Sequence, residues 1–441
     1  MRTRLYIFVF CLSLFGVAVF RPQSAQAQDF ARLSERSILG TARYMGMGGA
    51  MSAIGGDPSS VADNPAGLGL YRRMEVMVTM GLSMDKARQA GTSNSGWMTY
   101  FSAPQASLVL AVPANNPSDE GVQFHNFMFS YQCLHSFSRN IRAVGTADAS
   151  LGAVLAGLPN IPFCAERYNA SNSLTLRERG YMNQFSFQWA MNISNRWFVG
   201  AGLQIQSFRM SSDGDYQETF ANTDYNINRT SLLFTGTTST LSAGLIYRPL
   251  GWLRLGFGIK TPSVGALNTY TTGTLYALTD SLRESRAPDG VRRDRSYHMP
   301  LQLSTSVAFQ IGAYGLIALQ YNYSHANYMA DLHSLRAGFE VIPILGMYIN
   351  GGYAIESPFK GLDKVVPIDP LFERRDAYFQ HIRWTQYASV AIGYRGTFVM
   401  VQAAYQYRWQ NTDLYAHEYA RPYDINTDTH RVVLTIGWHR E

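Results

Sequence analysis

The charged residues that interrupt otherwise apolar and neutral stretches are the first candidates for chemistry in this sequence. They are Arg254, Lys260, Arg336, Glu340 and Arg408. Each belongs to the polar series of a segment in which every second residue is apolar, so we expect all five to face the polar side of a sheet. A cation there can bind the carboxylate of a ligand by charge-assisted hydrogen bonds. The alternative is that these groups pair with each other or with carbonyls of an N-terminal hatch.

A second candidate is an apolar stretch within the longest predicted loop. Leu151, Val154, Leu155 and Leu158 share one face of a helix at this spacing, and Ile161 and Phe163 continue the apolar character. Exposed apolar surface on a loop is typical of a binding site. The stretch therefore predicts capture of an apolar ligand, with packing between loops as the alternative interpretation.

Histidines give a third hypothesis, because imidazole is a common ligand of metals and haem. Seven of the nine histidines are predicted near one rim of the structure, namely His135, His298, His325, His333, His381, His417 and His430. Haem capture at the cell surface is one interpretation, and the other is that polar aromatic rings suit a membrane interface. Since no pair has a recognised zinc-ligand spacing, we expect no metal site.

Motifs of enzymes are not found in the sequence. The run Gly46-Met47-Gly48-Gly49 is not followed by Gly-Lys-Ser/Thr and no predicted strand precedes it, so it is not a phosphate-binding loop. The sequence has neither a Gly-x-Ser-x-Gly elbow nor a His-Glu-x-x-His pair. We therefore expect a protein that is not an enzyme and needs no cofactor.

Strict alternation of apolar and polar residues dominates the rest of the chain. It is clear in 184–193, 253–260, 301–310 and 399–410. In bilayer hydrocarbon only helices and closed barrels satisfy every backbone group, and a barrel strand shows lipid on one side and a lumen on the other. The pattern predicts an all-β, transmembrane antiparallel barrel.

We predict about fourteen strands from this alternation. They cover 75–84, 100–112, 122–137, 181–194, 197–210, 232–248, 252–266, 297–310, 314–328, 334–342, 347–356, 383–395, 397–410 and 429–438. Short connections alternate with long ones, which are 138–180, 211–231, 267–296, 357–382 and 411–428. Bacterial barrels have short periplasmic turns and longer outer loops, so we expect both termini in the periplasm.

The ends of the chain agree with export to an outer membrane. Residues 1–27 have the basic start, apolar run and small-residue cleavage site of a signal peptide. The last strand, with Val432, Leu434, Ile436 and Trp438 on one face, resembles the signal read by barrel-assembly machinery. The charge of +6 is too mild and scattered for nucleic acid binding. Location in the outer membrane of a Gram-negative bacterium, in contact with its lipid, follows.

Residues 28–74 differ from the barrel that we expect over 75–441. More than half of the residues between Gly40 and Gly69 are Gly, Ala or Ser, which lets backbone pack closely. Asp57 followed by Pro58 predicts a short helix to Asp63, which Asn64-Pro65 then ends. The segment predicts a compact N-terminal hatch, or plug, inside the lumen.

This hatch resembles that of FadL/TodX-type long-chain fatty acid and hydrophobic-compound transporters. The resemblance rests on the stretch 42–50, on Asp57-Pro58-Ser59-Ser60, and on the triplet Asn64-Pro65-Ala66. It implies a fourteen-strand barrel and passive transport of hydrophobic molecules, with capture by outer loops, rearrangement of the hatch and sideways exit through the wall. Its implied hatch and gating residues are Gly46, Gly48, Gly49, Asn64, Pro65 and Ala66.

Two points stay open at the level of sequence. A structural or secretion-system barrel that docks a partner protein would use the same scaffold, since fold alone does not settle function. Cys133 and Cys164 can bridge in an exported protein, or remain as two apolar-packed thiols.

Overall fold

The computed structural model describes residues 33–114, 121–146, 171–220, 225–279, 282–286, 290–327, 329–358, 379–416 and 421–440. Three short helices come first: α1 (Ala42–Gly46), α2 (Pro58–Asp63) and the 3-10 helix η1 (Pro65–Leu70). Within the described residues, all later elements are strands. Among the described helices, none has the length and hydropathy needed to cross a membrane.

The strands are long and follow one another in an antiparallel order. They are β1 (Met74–Gln89), β2 (Ser95–Pro113), β3 (Val122–Ser136), β4 (Arg139–Thr146), β5 (Ser171–Ile193), β6 (Trp197–Thr219), β7 (Tyr225–Leu250), β8 (Leu253–Lys260), β9 (Val264–Thr279), β10 (Leu282–Arg286), β11 (Val291–Tyr297), β12 (Leu301–Ile311), β13 (Gly315–His325), β14 (Leu332–Ile344), β15 (Met347–Glu356), β16 (Phe379–Arg395), β17 (Val399–Tyr415) and β18 (Tyr423–Arg440).

These eighteen segments make fourteen barrel strands, which confirms the predicted number. Segments β3 and β4 both pair with β5 and form one interrupted strand. Likewise, β8 and β9 together form one barrel strand, and β10, β11 and β12 together form another. The first strand pairs with the last along its whole length, from Met74 opposite Arg440 to Gln89 opposite Ile425, so the sheet closes on itself.

The two ends of the barrel differ. One end carries Met74, Arg440 and the short turns, and we call it the turn end; the other is the loop end. The tight turn between β5 and β6 has Ser194 and Asn195 both at a φ of 54°, as hairpin turns that match the twist of the strands require.

The predicted strand boundaries are wrong at the loop end, where several strands are longer than the alternation of apolar and polar residues suggests. Parts of the predicted loops 138–180, 211–231, 267–296 and 411–428 are strand, since β5 begins at Ser171, β6 continues to Thr219, and β9 continues to Thr279. Outside an apolar band both faces of a strand are polar, so the hydrophobic period fades while backbone pairing continues.

The outer wall carries a band of exposed apolar side chains, as the alternation predicts. On β18, Val432, Leu434 and Ile436 are each about half exposed, while Val433 and Thr435 between them are buried. The same pattern runs round the barrel through Val78, Met80, Leu82, Phe185, Phe187, Leu203, Leu255, Phe257, Ile317, Leu319, Val390 and Ile392. Hydrocarbon is the surrounding that this surface fits.

Candidate functional site: the hatch, the lumen and the wall

The hatch is built from three short helices, each started by a capping side chain. The Asp57 carboxylate accepts a hydrogen bond from Ser59 N (2.9 Å), and Pro58 occupies the first turn of α2. Asn64 caps η1 by accepting a hydrogen bond from Ala66 N (3.1 Å). The predicted helix Pro58–Asp63 is confirmed, because cap and proline together fix where it begins.

Glycines of the barrel wall let the hatch backbone approach. A Cβ added at Gly352 would lie 2.1 Å from Gly48 N, and one at Gly200 would lie 2.5 Å from the backbone of Pro65. The same close approach occurs at Gly244, Gly256, Gly258 and Gly338. Any larger residue at these inward positions would push the hatch away from the wall. The hatch therefore packs closely against β6, β7, β8, β14 and β15, with a shape complementary to the wall.

The predicted gating residues lie within this seat. Gly48 and Gly49 have φ of +61° and +75°, which side chains disfavour. Asn64 is fully buried and donates from Nδ2 to the carbonyls of Ser52 (2.9 Å) and of Leu245 on the wall (3.3 Å). Gly46 contacts the wall at Ala391, and Pro65 and Ala66 face Gly200. All six positions form contacts of the docked hatch, while a role in gating stays a prediction.

The five predicted lumen charges do face the lumen, and each contacts the hatch. Lys260 Nζ lies 3.4 Å from Asp63 Oδ1, and Arg336 Nη1 lies 3.4 Å from Asp63 Oδ2. Arg254 donates to the carbonyl of Ile54 (3.0 Å). Glu340 and Arg408 bind the hatch residues Arg43 and Glu35, at 2.6 and 2.7 Å. Pairing with hatch carbonyls, the alternative interpretation, thus holds for Arg254 and Arg336, while the ion-pair partners are hatch side chains that it did not name. Contact with a ligand stays a prediction.

Opposite electrostatic settings distinguish the buried Asp57 from the partly buried Asp63 of the hatch. Burial opposes ionisation of Asp63, but Lys260 and Arg336 outweigh it and lower the pKa of this carboxyl. Burial dominates at Asp57, where it raises the pKa above the usual value in spite of a hydrogen bond from Thr41. Asp63 is therefore held to the wall by charge, while Asp57 serves the internal geometry of the hatch.

The first described part of the hatch, residues 33–39, lies on the loop-end side of the hatch helices. The backbone N of Ser37 donates to the carbonyl of Leu134 (3.0 Å), and Ser37 Oγ lies 2.9 Å from His135 Nδ1. Glu35 contacts Arg408, and Gln132 donates to the carbonyl of Leu39 (2.7 Å). We call this segment the leading strap. His135, predicted at the rim, is instead buried beneath it.

Leu33 of the strap inserts into an apolar cluster on the inner wall, which the sequence did not predict. We call it the lumen cluster; it consists of Leu33, Leu134, Phe137, Met182, Phe208, Met210, Leu232, Phe234, Leu267, Tyr297 and Met299. Nearer the turn end, the inward positions of the same strands are polar. At the level of the cluster the inner series of β6 changes to Phe208 and Met210, and this change was the available signal.

The barrel wall has an interruption between β2 and β3. The ladder of the two strands runs from Pro113 opposite Phe124 to Gln105 opposite Gln132, and in the described residues no pairing of β2 with β3 continues past it. The pairing of β3 with β5 also shifts register between Cys133 and His135. We call this place the wall interruption. Leu134 of the lumen cluster lies directly behind it.

Several predicted features lie outside the described residues. They include the signal peptide and the apolar loop with Leu151, Val154, Leu155, Leu158 and Phe163. Cys164 is outside as well, so its bridge to Cys133, whose thiol is buried 3.6 Å from the carbonyl of His135, stays a prediction.

Three histidines that the structure describes bond to neighbours on the barrel, while His135 bonds to Ser37 of the leading strap. His325 contacts Asp331 (2.6 Å), His333 contacts Tyr321 (2.7 Å), and His430 contacts Tyr405 (2.7 Å). Within the described part of the chain, no three His, Cys, Asp or Glu side chains converge to hold a metal ion. No observation therefore favours the haem hypothesis over interfacial aromatic residues.

Solved structures share this architecture. A FadL homologue of Pseudomonas aeruginosa has a TM-score of 0.59 and 13% identity, over 92% of this chain and 98% of that one. The chain has a FadL-type fold. The toluene transporter TodX of Pseudomonas putida follows with 0.57 and 12%, over 92% and 99%, and the toluene transporter TbuX of Ralstonia pickettii with 0.54 and 13%, over 92% and 99%. No family model and no curated relative matches the sequence of this FadL-type barrel.

Proposed function

We propose that this FadL-type barrel is a passive transporter of hydrophobic molecules in the outer membrane of a Gram-negative bacterium, with both termini in the periplasm. The observation that carries the proposal is the position of the lumen cluster. It lies between the loop end and the docked hatch, directly behind the wall interruption. An apolar ligand that enters from the loop end meets this cluster before it meets the hatch.

A ligand that binds the lumen cluster would have to displace the leading strap. Leu33 occupies part of the apolar surface that a ligand would cover. The polar contacts that hold the strap include Glu35 with Arg408, Ser37 with Leu134 and His135, and Ser34 with Tyr297. A ligand that displaces Leu33 replaces apolar contacts by apolar contacts, so exchange costs little free energy. We propose that capture loosens the strap.

A polar cavity beside the lumen cluster could hold the headgroup of a fatty acid. This cavity, of about 90 Å³, is lined by the cations Arg36, Lys260 and Arg336, by the carboxylates Asp63 and Glu356, and by Leu134 of the lumen cluster. A carboxylate headgroup would compete with Asp63 for charge-assisted hydrogen bonds to Lys260 and Arg336 while its chain lies on the cluster. Aromatic hydrocarbons would use the cluster alone.

Exit through the wall interruption completes the proposed route. A ligand on Leu134 is next to the only place where β2 and β3, within their described residues, stop pairing. Lateral passage there would deliver an apolar molecule to the bilayer without crossing the hatch, whose seat against the glycines leaves little space. Hydrophobic compounds prefer this route, because hydrocarbon lies directly outside.

Uptake by proteoliposomes tests the proposal. Barrels reconstituted with a defined orientation should take up radiolabelled oleate and toluene faster than empty vesicles. Phe234→Gln, in the lumen cluster, should lower the rate at least tenfold, whereas Ser242→Ala, inward on the same strand but next to the hatch, should not. Rates equal to those of empty vesicles for the native protein would contradict the proposal, provided that heat-modifiable migration shows a folded barrel.

A cross-link tests the exit separately. Because the register of β1 and β2 shifts after Gln105, Ser102 continues the inward series of β2, and it would face Leu134 if the ladder of β2 and β3 continued by one more inward pair. The variant Ser102→Cys/Leu134→Cys, made with Cys133→Ser and Cys164→Ser, should lose uptake when oxidised and regain it when reduced. The two single variants, Ser102→Cys and Leu134→Cys in the same background, serve as controls. Full uptake by the oxidised, cross-linked protein would exclude this exit.

A further inference from the structure

A row of four arginines lies on the outer face of the barrel at the loop end. Arg142 on β4, Arg177 and Arg179 on β5, and Arg209 on β6 are all exposed and point away from the lumen. Within the described part of the chain, none of the four guanidinium groups takes part in a hydrogen bond or an ion pair. Most other arginines of the loop end are paired, as Arg88 is with Asp428.

The strand register brings these four cations together. Arg142 is diagonal to Arg177 across β4 and β5, and Arg179 is diagonal to Arg209 across β5 and β6. Diagonal neighbours on one face of a sheet are about 7–8 Å apart, within reach of long side chains. Like charges so placed repel each other, and an anion between them removes the repulsion.

Among the described residues, the acidic neighbours of the row are Asp213 and Asp215, both at one side of it. Asp213 is opposite Arg177 across the strands and accepts a hydrogen bond from Ser231 Oγ (2.6 Å), while Asp215 pairs with Arg229 (3.3 Å). Arg179 and Arg209 instead face Ser211 and Tyr181. This half of the row is the stronger anion site.

An apolar depression continues the same sector of the outer wall toward the turn end. Its volume is about 530 Å³, and its outward-facing lining includes Val78, Ala106, Leu108, Phe129, Phe185 and Ile205. Ile205 and Arg209 belong to one strand, four residues or roughly 13 Å apart along it. On a strand tilted by about 45° this is roughly 9 Å of depth, the step from headgroups to acyl chains.

We propose that this surface binds one molecule of a phosphorylated, acylated lipid of the surrounding leaflet. Its phosphate would lie between the guanidinium groups of Arg179 and Arg209, and one acyl chain would fill the depression. Arginine binds phosphate with two parallel hydrogen bonds, and the depression has the volume of many small-molecule sites. The site depends on the barrel spanning a membrane and does not depend on transport.

Native mass spectrometry of the full-length barrel tests the site. The detergent-solubilised protein is mixed with lipid A, with its monophosphoryl form, or with phosphatidylcholine, and retained lipids are counted. We expect one retained lipid A per barrel, weaker retention of the monophosphoryl form and none of phosphatidylcholine. Arg179→Gln/Arg209→Gln should weaken retention of lipid A at least tenfold. Arg292→Gln, exposed on β11 and paired with Asp294, is the matched control.

A second pair of variants tests the apolar half. Ala106→Phe fills the depression and should also weaken retention, whereas Ala243→Phe, outward on β7, should not. Inorganic phosphate at millimolar concentration should not displace the lipid, because it lacks the acyl chain. The proposal is overturned if the double glutamine variant retains lipid A as the native protein does, or if phosphatidylcholine binds equally. Normal retention by Ala106→Phe would overturn the role of the depression.

Discussion

Arg43 of the hatch and Glu340 of the wall form a two-point ion pair. Arg43 Nε lies 2.6 Å from Glu340 Oε2, and Nη2 lies 2.9 Å from Oε1. Asn350 donates a further hydrogen bond to Glu340 (3.3 Å). The geometry is that of a bidentate arginine–carboxylate contact, which is stronger and more directional than a single hydrogen bond.

Removing one partner of this pair should loosen the hatch. Glu340→Ala leaves the Arg43 charge buried without its partner, which costs about 3–5 kcal/mol for a buried pair. We expect faster amide hydrogen exchange in residues 41–50 and unchanged exchange in the strands. Replacing both charges, as in Arg43→Met/Glu340→Leu, should restore much of the protection. Equal exchange in Glu340→Ala and in the native protein would show that shape alone seats the hatch.

Adding a methyl group should destabilise the docked hatch on the inward face of β15 but not on its outward face. Gly352→Ala places a Cβ 2.1 Å from Gly48 N and must displace the hatch, while Gly351→Ala meets only the ring of Phe339, 2.5 Å away, which can move into lipid. Overpacking of this kind costs about 1–3 kcal/mol. Proteolysis of the hatch in the purified barrel should accelerate in Gly352→Ala only. Comparable resistance of both variants would contradict the tight seat.

Neutralisation of Asp63 should have a larger effect than neutralisation of Asp57. Asp63→Asn loses two cation contacts and should weaken docking of the hatch at neutral pH, whereas Asp57→Asn keeps the acceptor for Ser59 N and should be tolerated. The comparison is made by hydrogen exchange of residues 57–66. A larger effect of Asp57→Asn than of Asp63→Asn would reverse our assignment of their roles.

Acid should loosen the hatch through Asp63 and Glu35. The pKa of Asp63 is lowered below its usual 3.8. Burial opposes ionisation of Glu35, but His135, Arg408 and Arg139 lower its pKa to about 2. A depressed carboxyl pKa contributes stability above the unfolded value, and this stability is lost as the pH falls through the folded value. Exchange of residues 33–66, corrected for its intrinsic rate, should stay constant from pH 8 to pH 5 and rise below pH 4. A rise near pH 6 would contradict the assignment to these two carboxyl groups.

The apolar loop predicted from the sequence should contribute to capture. Leu155→Glu/Leu158→Glu places charge on the predicted helical face and should lower uptake of oleate severalfold at low concentration, with less effect near saturation. Ala156→Glu, beside that face, is the control. If Leu155→Glu/Leu158→Glu transports oleate like the native protein, the apolar face packs between loops or lies outside the transport route.

The sequence by itself determined the barrel, because a wall between lipid and lumen imposes a period of two on every strand. Val432, Leu434 and Ile436 point outward as the alternation requires. It also determined the helix Pro58–Asp63, since a capping aspartate and a following proline act through local backbone geometry alone.

Only the tertiary structure decided what the inward side chains touch. Alternation places Arg254, Lys260, Arg336, Glu340 and Arg408 in the lumen, but their partners are hatch groups some 200 to 370 residues away in the chain. The lumen cluster and the wall interruption likewise arise from strands far apart in sequence. Local patterns fix which face a residue occupies; which group lies opposite depends on how the sheet closes and where the hatch docks, and these are set by long-range packing.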